Sequence, residues 1–308
     1  MGELRYYDAD TMEDRGKAPR PETLEDRQRK KTYHDKTIST EEFNQWIADK
    51  YGTFYFVIHK ILKKKLNKQY IIRFLYLCTF MNFSGEVLYG DAHAKLKISD
   101  EELEKQLKKG IHPPSRYMTE NDLQEVLKLS RTETNKTKTA FLYNELVFIN
   151  KKGNLQINDK YCFKGFVALK DIKTSRTRIF ENAIKDIYEK AKPIEHKRLA
   201  LLITILPYIN LHNNIICHNA LCDSSFQLEV IDLKKLCPIV EYSESNKGRL
   251  KRELLDLRVG GEKVVMFNEI DGVKSITINP RIYYGGSIED FKTLKGVASY
   301  FDLKVGLN

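Results

Sequence analysis

Ile157-Asn158-Asp159-Lys160-Tyr161-Cys162-Phe163-Lys164-Gly165 and Ile278-Asn279-Pro280-Arg281-Ile282-Tyr283-Tyr284-Gly285-Gly286 are two versions of one pattern. Both begin Ile-Asn, place a base fourth and close aromatic–x–Gly. Each follows a strand, a tight turn and a second strand. In the first copy these are residues 146–150, the turn Lys151-Lys152-Gly153-Asn154, and residues 155–158. In the second they are residues 263–268, the turn Glu269-Ile270-Asp271-Gly272, and residues 273–279. Lys-Gly-Asn and Asp-Gly are hairpin signals, because glycine adopts the positive φ that tight hairpin turns demand.

Upstream of each hairpin lies a helix, a turn and a second helix. In the first copy Thr119 caps a helix through about Leu127, with Asp122 as the acid of a capping box. Leu129-Ser130 turn the chain, and a helix follows over 131–144. In the second copy the helices are 233–240, shortened by Pro238, and 244–257, which buries Leu250, Leu254 and Leu257. The turn between them is 241–243. Further upstream the chain reads as helical from residue 41, through Phe43, Trp46, Ile47, the run Phe54 to Ile58, and Ile61, Leu62 and Leu66. An apolar helix over 68–82 ends Phe80-Met81-Asn82-Phe83-Ser84-Gly85 before a short strand, Glu86 to Tyr89. An apolar helix over 199–209 ends Tyr208-Ile209-Asn210-Leu211-His212-Asn213 before Asn214 to Cys217, an offset of 210 − 82 = 128 residues. The link between copies, about 175–192, carries Ile179, Ala183, Ile184 and Ile187 at helical spacing, with Phe180 and Tyr188 widening the stripe.

Helix, strand, helix, turn, helix and β-hairpin, twice over, is the layout of tandem winged helix-turn-helix domains with small β-hairpin wings. The fold class expected is mainly α, of the α+β kind. The organisation expected is a flexible charged arm over 1–40, one winged-helix domain over 41–172 and a second over 173–308. The arm holds nine Lys/Arg and nine Asp/Glu, few aliphatics, and the block Arg27-Gln28-Arg29-Lys30-Lys31. Such a stretch buries too little apolar surface to offset its ordering entropy. The whole excess of positive charge, 52 − 42 = 10, therefore sits in residues 41–308. A pI near 9.1 favours a polyanionic partner, nucleic acid first and an anionic membrane surface second.

In a winged helix the second helix of the turn enters the major groove, and its N-terminal half meets base edges. Those positions are Arg131, Thr132, Thr134, Asn135, Lys136 and Lys138 in the first copy. In the second they are Ser243, Ser245, Asn246, Lys247, Arg249 and Lys251, with Arg252 at the flank. Asn suits adenine, Arg suits guanine, and Lys or Thr suits phosphate. A plain solvated face would favour Glu–Lys pairs instead. Lys151 and Lys152 at the first hairpin tip suit backbone phosphate. Glu269 and Asp271 at the second repel it, so that wing is expected to stand off or meet protein. The strip Lys60-x-x-Lys63-Lys64-Lys65-x-x-Lys68 reads equally as a solvated face or a phosphate contact.

Other classes fall away. No run approaches the roughly 18 apolar residues of a membrane helix, and charge follows Met1 rather than a signal peptide's apolar stretch. Five irregularly spaced Cys suit a reducing compartment, so a cytoplasmic protein is expected. Cys217-His218-x-x-x-Cys222, with His212 and Cys237, has a spacing loose for zinc, and Cys217 falls on an apolar strand. No metal or other cofactor is expected. There is no Gly-x4-Gly-Lys-Ser/Thr loop, no two-histidine nicking cluster and no nucleophile elbow, so the chain is not read as an enzyme.

The buried helix ending Leu75-Tyr76-Leu77 … Met81-Asn82-Phe83 and the closing Ile278-to-Gly286 motif resemble the RepL-like winged-helix replication proteins of Gram-positive plasmids and phages. In that family an apolar strand entering Asn-Pro-x-aromatic follows the wing; the first copy departs from this with Asp159 where the second has Pro280. The resemblance implies sequence-specific double-stranded DNA binding and replication initiation. A second copy of the chain and host replication proteins are the protein partners such a role implies. The same domains would also serve a transcriptional regulator, or a structural factor whose winged helices bind protein.

Overall fold

The structure, a computed structural model, describes residues 5–7, 14–17, 42–59, 61, 66–89, 116–165, 176–224, 227–270, 272–286 and 291–303. It divides into two compact units, Met1–Trp46 and Ile47–Asn308. In the first, β1 (Arg5–Tyr7) pairs antiparallel with β2 (Asp14–Lys17). The stretch expected as a flexible charged arm thus contains one strand pair, helped by the strand preference of Tyr6 and Tyr7. The basic block 27–31 lies outside the described residues. Residues 42–51 form a helix (α1).

The larger unit is mixed α and β with small antiparallel sheets. Its first repeat runs β3 (Phe54–Ile58), α2 (Lys68–Cys78), a 3₁₀ turn Glu120–Asp122 leading into α3 (Leu123–Val126), α4 (Arg131–Tyr143), β4 (Val147–Ile149), β5 (Leu155–Ile157) and β6 (Cys162–Phe163). The second repeat opens with β7 (Arg176–Phe180), α5 (Glu181–Lys190), α6 (His196–Leu199) and α7 (Leu201–Thr204). It continues with α8 (Leu233–Ile239), a 3₁₀ turn Glu244–Asn246 and α9 (Lys247–Leu255). It ends in β8 (Arg258–Val259), β9 (Glu262–Lys263), β10 (Val265–Ile270), β11 (Val273–Ile278) and β12 (Tyr283–Tyr284). A last helix, α10, spans Phe291–Leu303.

Two expected helices begin instead as strands. Phe54 to Ile58 and Arg176 to Phe180 form the centre of a four-stranded sheet of order β12-β7-β3-β6. A short apolar run does not declare helix or strand by periodicity, and aromatic and β-branched content decides it here. The register pairs Phe54 with Phe180, Phe56 with Arg178 and Ile58 with Arg176. β6 flanks β3 through Phe56–Phe163, and β12 flanks β7 through Tyr284–Arg178. Each repeat therefore gives its opening and closing strand to one sheet. The apolar helix expected over 199–209 is broken into α6, α7 and a 3₁₀ turn at Leu206–Tyr208, where Pro207 cannot continue an α-helix. Pro238, by contrast, sits in the last turn of α8 without breaking it.

Hydrogen bonds repeat along with the sequence. Asn82 Oδ1 accepts from the N–H of Ser84 and Glu86, and Asn210 Oδ1 from the N–H of His212 and Asn213. Each asparagine closes the bend between a buried helix and the next strand. Asn158 Oδ1 accepts from Lys160 N–H while its Nδ2 donates to the Glu145 carbonyl at 2.7 Å. Asn279 does the same with Arg281 N–H and the Lys263 carbonyl, at 2.9 and 3.0 Å. The strand after each helix end bridges the second hairpin strand, Glu86 to Gln156 and Ile215 to Thr277.

The core lies around α2, whose residues Ile71 through Cys78 are all buried. One of them, Arg73, is 1% exposed. An unpaired guanidinium there would cost several kcal/mol. It donates to Glu133 at 3.1 Å, Thr137 at 2.8 Å and His196 Nδ1 at 3.3 Å. Next to it Tyr76 stacks on Tyr188 at 3.9 Å and Tyr188 on His196 at 4.3 Å, joining the two repeats. Among the described residues no helix is long and apolar enough to cross a membrane.

Candidate nucleic-acid interface

The bend between α3 and α4 has the same geometry as the bend after α8. Lys128 and Glu241 hold φ of 53° and 63°. Leu129 N–H returns to the Gln124 carbonyl and Tyr242 N–H to the Cys237 carbonyl, each spanning five residues. A residue in the left-handed region with a bond of this span is how helices are stopped and redirected. The helix after each bend starts on a serine. Ser130 Oγ accepts from Glu133 N–H at 3.4 Å. Ser243 Oγ meets Ser245 Oγ at 2.9 Å and accepts from Asn246 Nδ2 at 2.8 Å.

On α4, Arg131, Thr132, Asn135 and Lys136 are exposed along the first two turns. Lys136 lies 3.3 Å from Glu133, and half-buried Lys138 lies 3.2 Å from Glu120. Thr134 is not on this face. It is 6% exposed and its hydroxyl donates to the Ser130 carbonyl, so it cannot meet a base. The sequence shows a hydroxyl there but not that it folds back on its own helix. Lys151 and Lys152 are exposed at the first hairpin tip, where Asn150 Oδ1 accepts from Lys152 and Asn154 N–H and Gly153 takes φ 81°.

In the second repeat Ser245, Asn246, Lys247, Arg249, Lys251 and Arg252 are all exposed. The Ser245 hydroxyl and the Asn246 Nδ2 are engaged with Ser243 Oγ. Arg249 Nε donates to Glu253 Oε1 at 2.7 Å, and Lys251 lies over the Phe267 ring at 5.4 Å. Among the described residues the Lys247 and Arg252 side chains have no hydrogen-bond or ion-pair partner, and they present their charge at the start and end of the helix. Ile270 pairs with Val273, so β10 and β11 run longer than the sequence suggests and only positions 271–272 separate them. Glu269 is consequently a strand residue, opposite Lys274 at 3.9 Å, which offsets the repulsion expected of this tip. Asp271 lies outside the described residues, as do Lys60 and Lys63 to Lys65 of the basic strip; Lys68 pairs with Glu241 at 3.0 Å.

Sequence reasoning passes over the acids that hold these bases. Arg73 and Lys136 lower the Glu133 carboxyl below its ordinary value, Arg73 most. Asp122 is also low: burial pushes it up, but bonds from Thr119 and Arg116 outweigh that. The cysteine–histidine stretch scatters: Cys217 is buried, Cys222 Sγ faces the Ser224 carbonyl, Cys237 Sγ the Leu233 carbonyl, and His212 pairs with Asp223. Among the described residues no group of three His, Cys, Asp or Glu side chains is placed to hold a metal ion. Compared with family models, curated proteins and solved structures, the chain shows no match.

Proposed function

We propose that each repeat is a winged helix-turn-helix and that the chain binds double-stranded DNA sequence-specifically through both, to initiate replication of a plasmid or phage. The observation that carries this reading is the pair of equivalent bends, each followed by a helix whose exposed first turns hold amide and basic side chains. α4 offers Arg131, Asn135 and Lys136; α9 offers Lys247, Arg249, Lys251 and Arg252. Two such helices in one unit give two places to enter a major groove. The net charge of +10, none of it from the first forty residues, supports a phosphate partner. The replication role rests on the RepL-like resemblance.

The test is affinity against salt. Duplex binding falls by orders of magnitude between about 50 and 200 mM salt, as counterions released by several phosphate contacts require. Replacing Lys151 and Lys152 by Ala weakens all duplexes alike and lowers the salt slope by roughly two. A flat affinity across that range overturns the reading.

A further inference from the structure

Arg249 is held differently from every other base on the two helices. Its side chain is 68% exposed, whereas its partner Glu253, one turn along α9, is only 14% exposed. Glu253 uses both carboxylate oxygens. Oε1 accepts from Arg249 Nε at 2.7 Å, and Oε2 accepts from the Tyr242 hydroxyl at 2.5 Å. Tyr242 stands in the bend between the two helices, so the carboxylate is anchored to the element that orients α9. Burial pushes the Glu253 carboxyl up, but the bonds from Tyr242 and Arg249 outweigh it and keep it below the ordinary carboxylate range.

A guanidinium engaged through Nε keeps its far edge open. The two terminal nitrogens, on a side chain 68% exposed at the rim of a cleft shared with Glu195 and Arg198, then offer a fork of parallel N–H donors. That fork matches guanine O6 and N7 in the major groove. The three remaining bases nearby offer no such device: Lys247 and Lys251 are single-point donors, and Arg252 has no carboxylate on it. On the first repeat, Lys136 has a carboxylate partner but no fork, and Asn135 suits adenine.

We infer that Tyr242 and Glu253 are positioning residues that set the Arg249 fork to read a guanine, so that the half of the DNA site met by the second repeat holds an essential G·C pair. This rests on the DNA-binding reading above. The gain is preorganisation: a long side chain already ordered loses less freedom when it binds.

The experiment uses the full chain. Duplexes selected from a randomised library define the preferred base at each position. Affinities of wild type, Arg249→Ala, Glu253→Gln and Tyr242→Phe are then measured on the selected duplex and on one with that G·C pair changed to A·T. Arg249→Ala should remove roughly 10-fold or more of the discrimination at one position. Glu253→Gln should remove roughly 3–10-fold at that same position, and Tyr242→Phe a smaller share, with the salt slope unchanged. A merely structural role would lower affinity for both duplexes equally. If Arg249→Ala relaxes the preference while Glu253→Gln and Tyr242→Phe each keep it within twofold, the positioning inference is overturned and DNA reading stands. If Arg249→Ala leaves the preference untouched, the second repeat is not a DNA reader and both fall.

Discussion

Arg73 and His196 are each 1% exposed and bonded to one another, so His196 cannot take up a proton without cost. Burial first, and the Arg73 charge second, lower the His196 pKa to about 4. Its Nδ1 is the acceptor for Arg73 Nε, and a proton there would set two donors face to face. The unfolded chain binds that proton near pH 6.5 and the folded chain only near 4. The His196 contribution is therefore fully present above about pH 6.5 and is lost as pH falls towards 4, a span worth up to about 3 kcal/mol. His59, lowered by burial to about 4, acts in the same window. Melting temperature against pH checks this: wild type should fall steeply between 6.5 and 4, and His196→Gln should take roughly half of that slope away. An unchanged slope would remove His196 from the account. At this scale the sequence is legible where exposure is the default, as for Arg131, Asn135, Lys247 and Arg249. It is not legible where packing chooses the direction of a side chain. Thr134 and Asn135 are neighbours of similar polarity, yet one folds onto its helix and the other faces solvent.

The two asparagines of the closing motif show why a short pattern recurs. Asn158 is 4% exposed and Asn279 2%, and each ties two backbone groups across a turn. Asn158→Ala or Asn279→Ala would remove the side-chain partner of one part-buried carbonyl and one part-buried N–H, costing about 1–2 kcal/mol in all. Chemical denaturation of the two variants checks this, and a loss under about 0.5 kcal/mol in both would contradict it. This motif is readable because side-chain chemistry fixes local geometry within a few residues. Other elements are decided further away. Phe54 to Ile58 fits a helix or a strand by pattern, and only its pairing with β7 settles the matter. The β8–β9 pair, with Gly260 at φ 57° and Gly261 at φ 86°, follows a Gly-Gly signal that the pattern of recurring hairpins hides.

At the scale of the whole molecule, the repeats are one compact unit rather than beads on a linker. Their opening strands pair at the sheet centre, Lys68 of one repeat meets Glu241 of the other, and the Tyr188 hydroxyl donates to the Leu127 carbonyl at 2.9 Å. Duplication is visible in the sequence as recurring motifs; the shared sheet is not, because strand pairing joins residues 122 positions apart (178 − 56) with no local signature. Two helices fixed within one unit should engage two adjacent major grooves of one duplex. A hydroxyl-radical footprint of the intact chain on its selected duplex measures this directly. Two protected patches centred about 10 base pairs apart, one helical turn, are expected. A single patch of one groove's length, or no protection at about 50 mM salt, would contradict it.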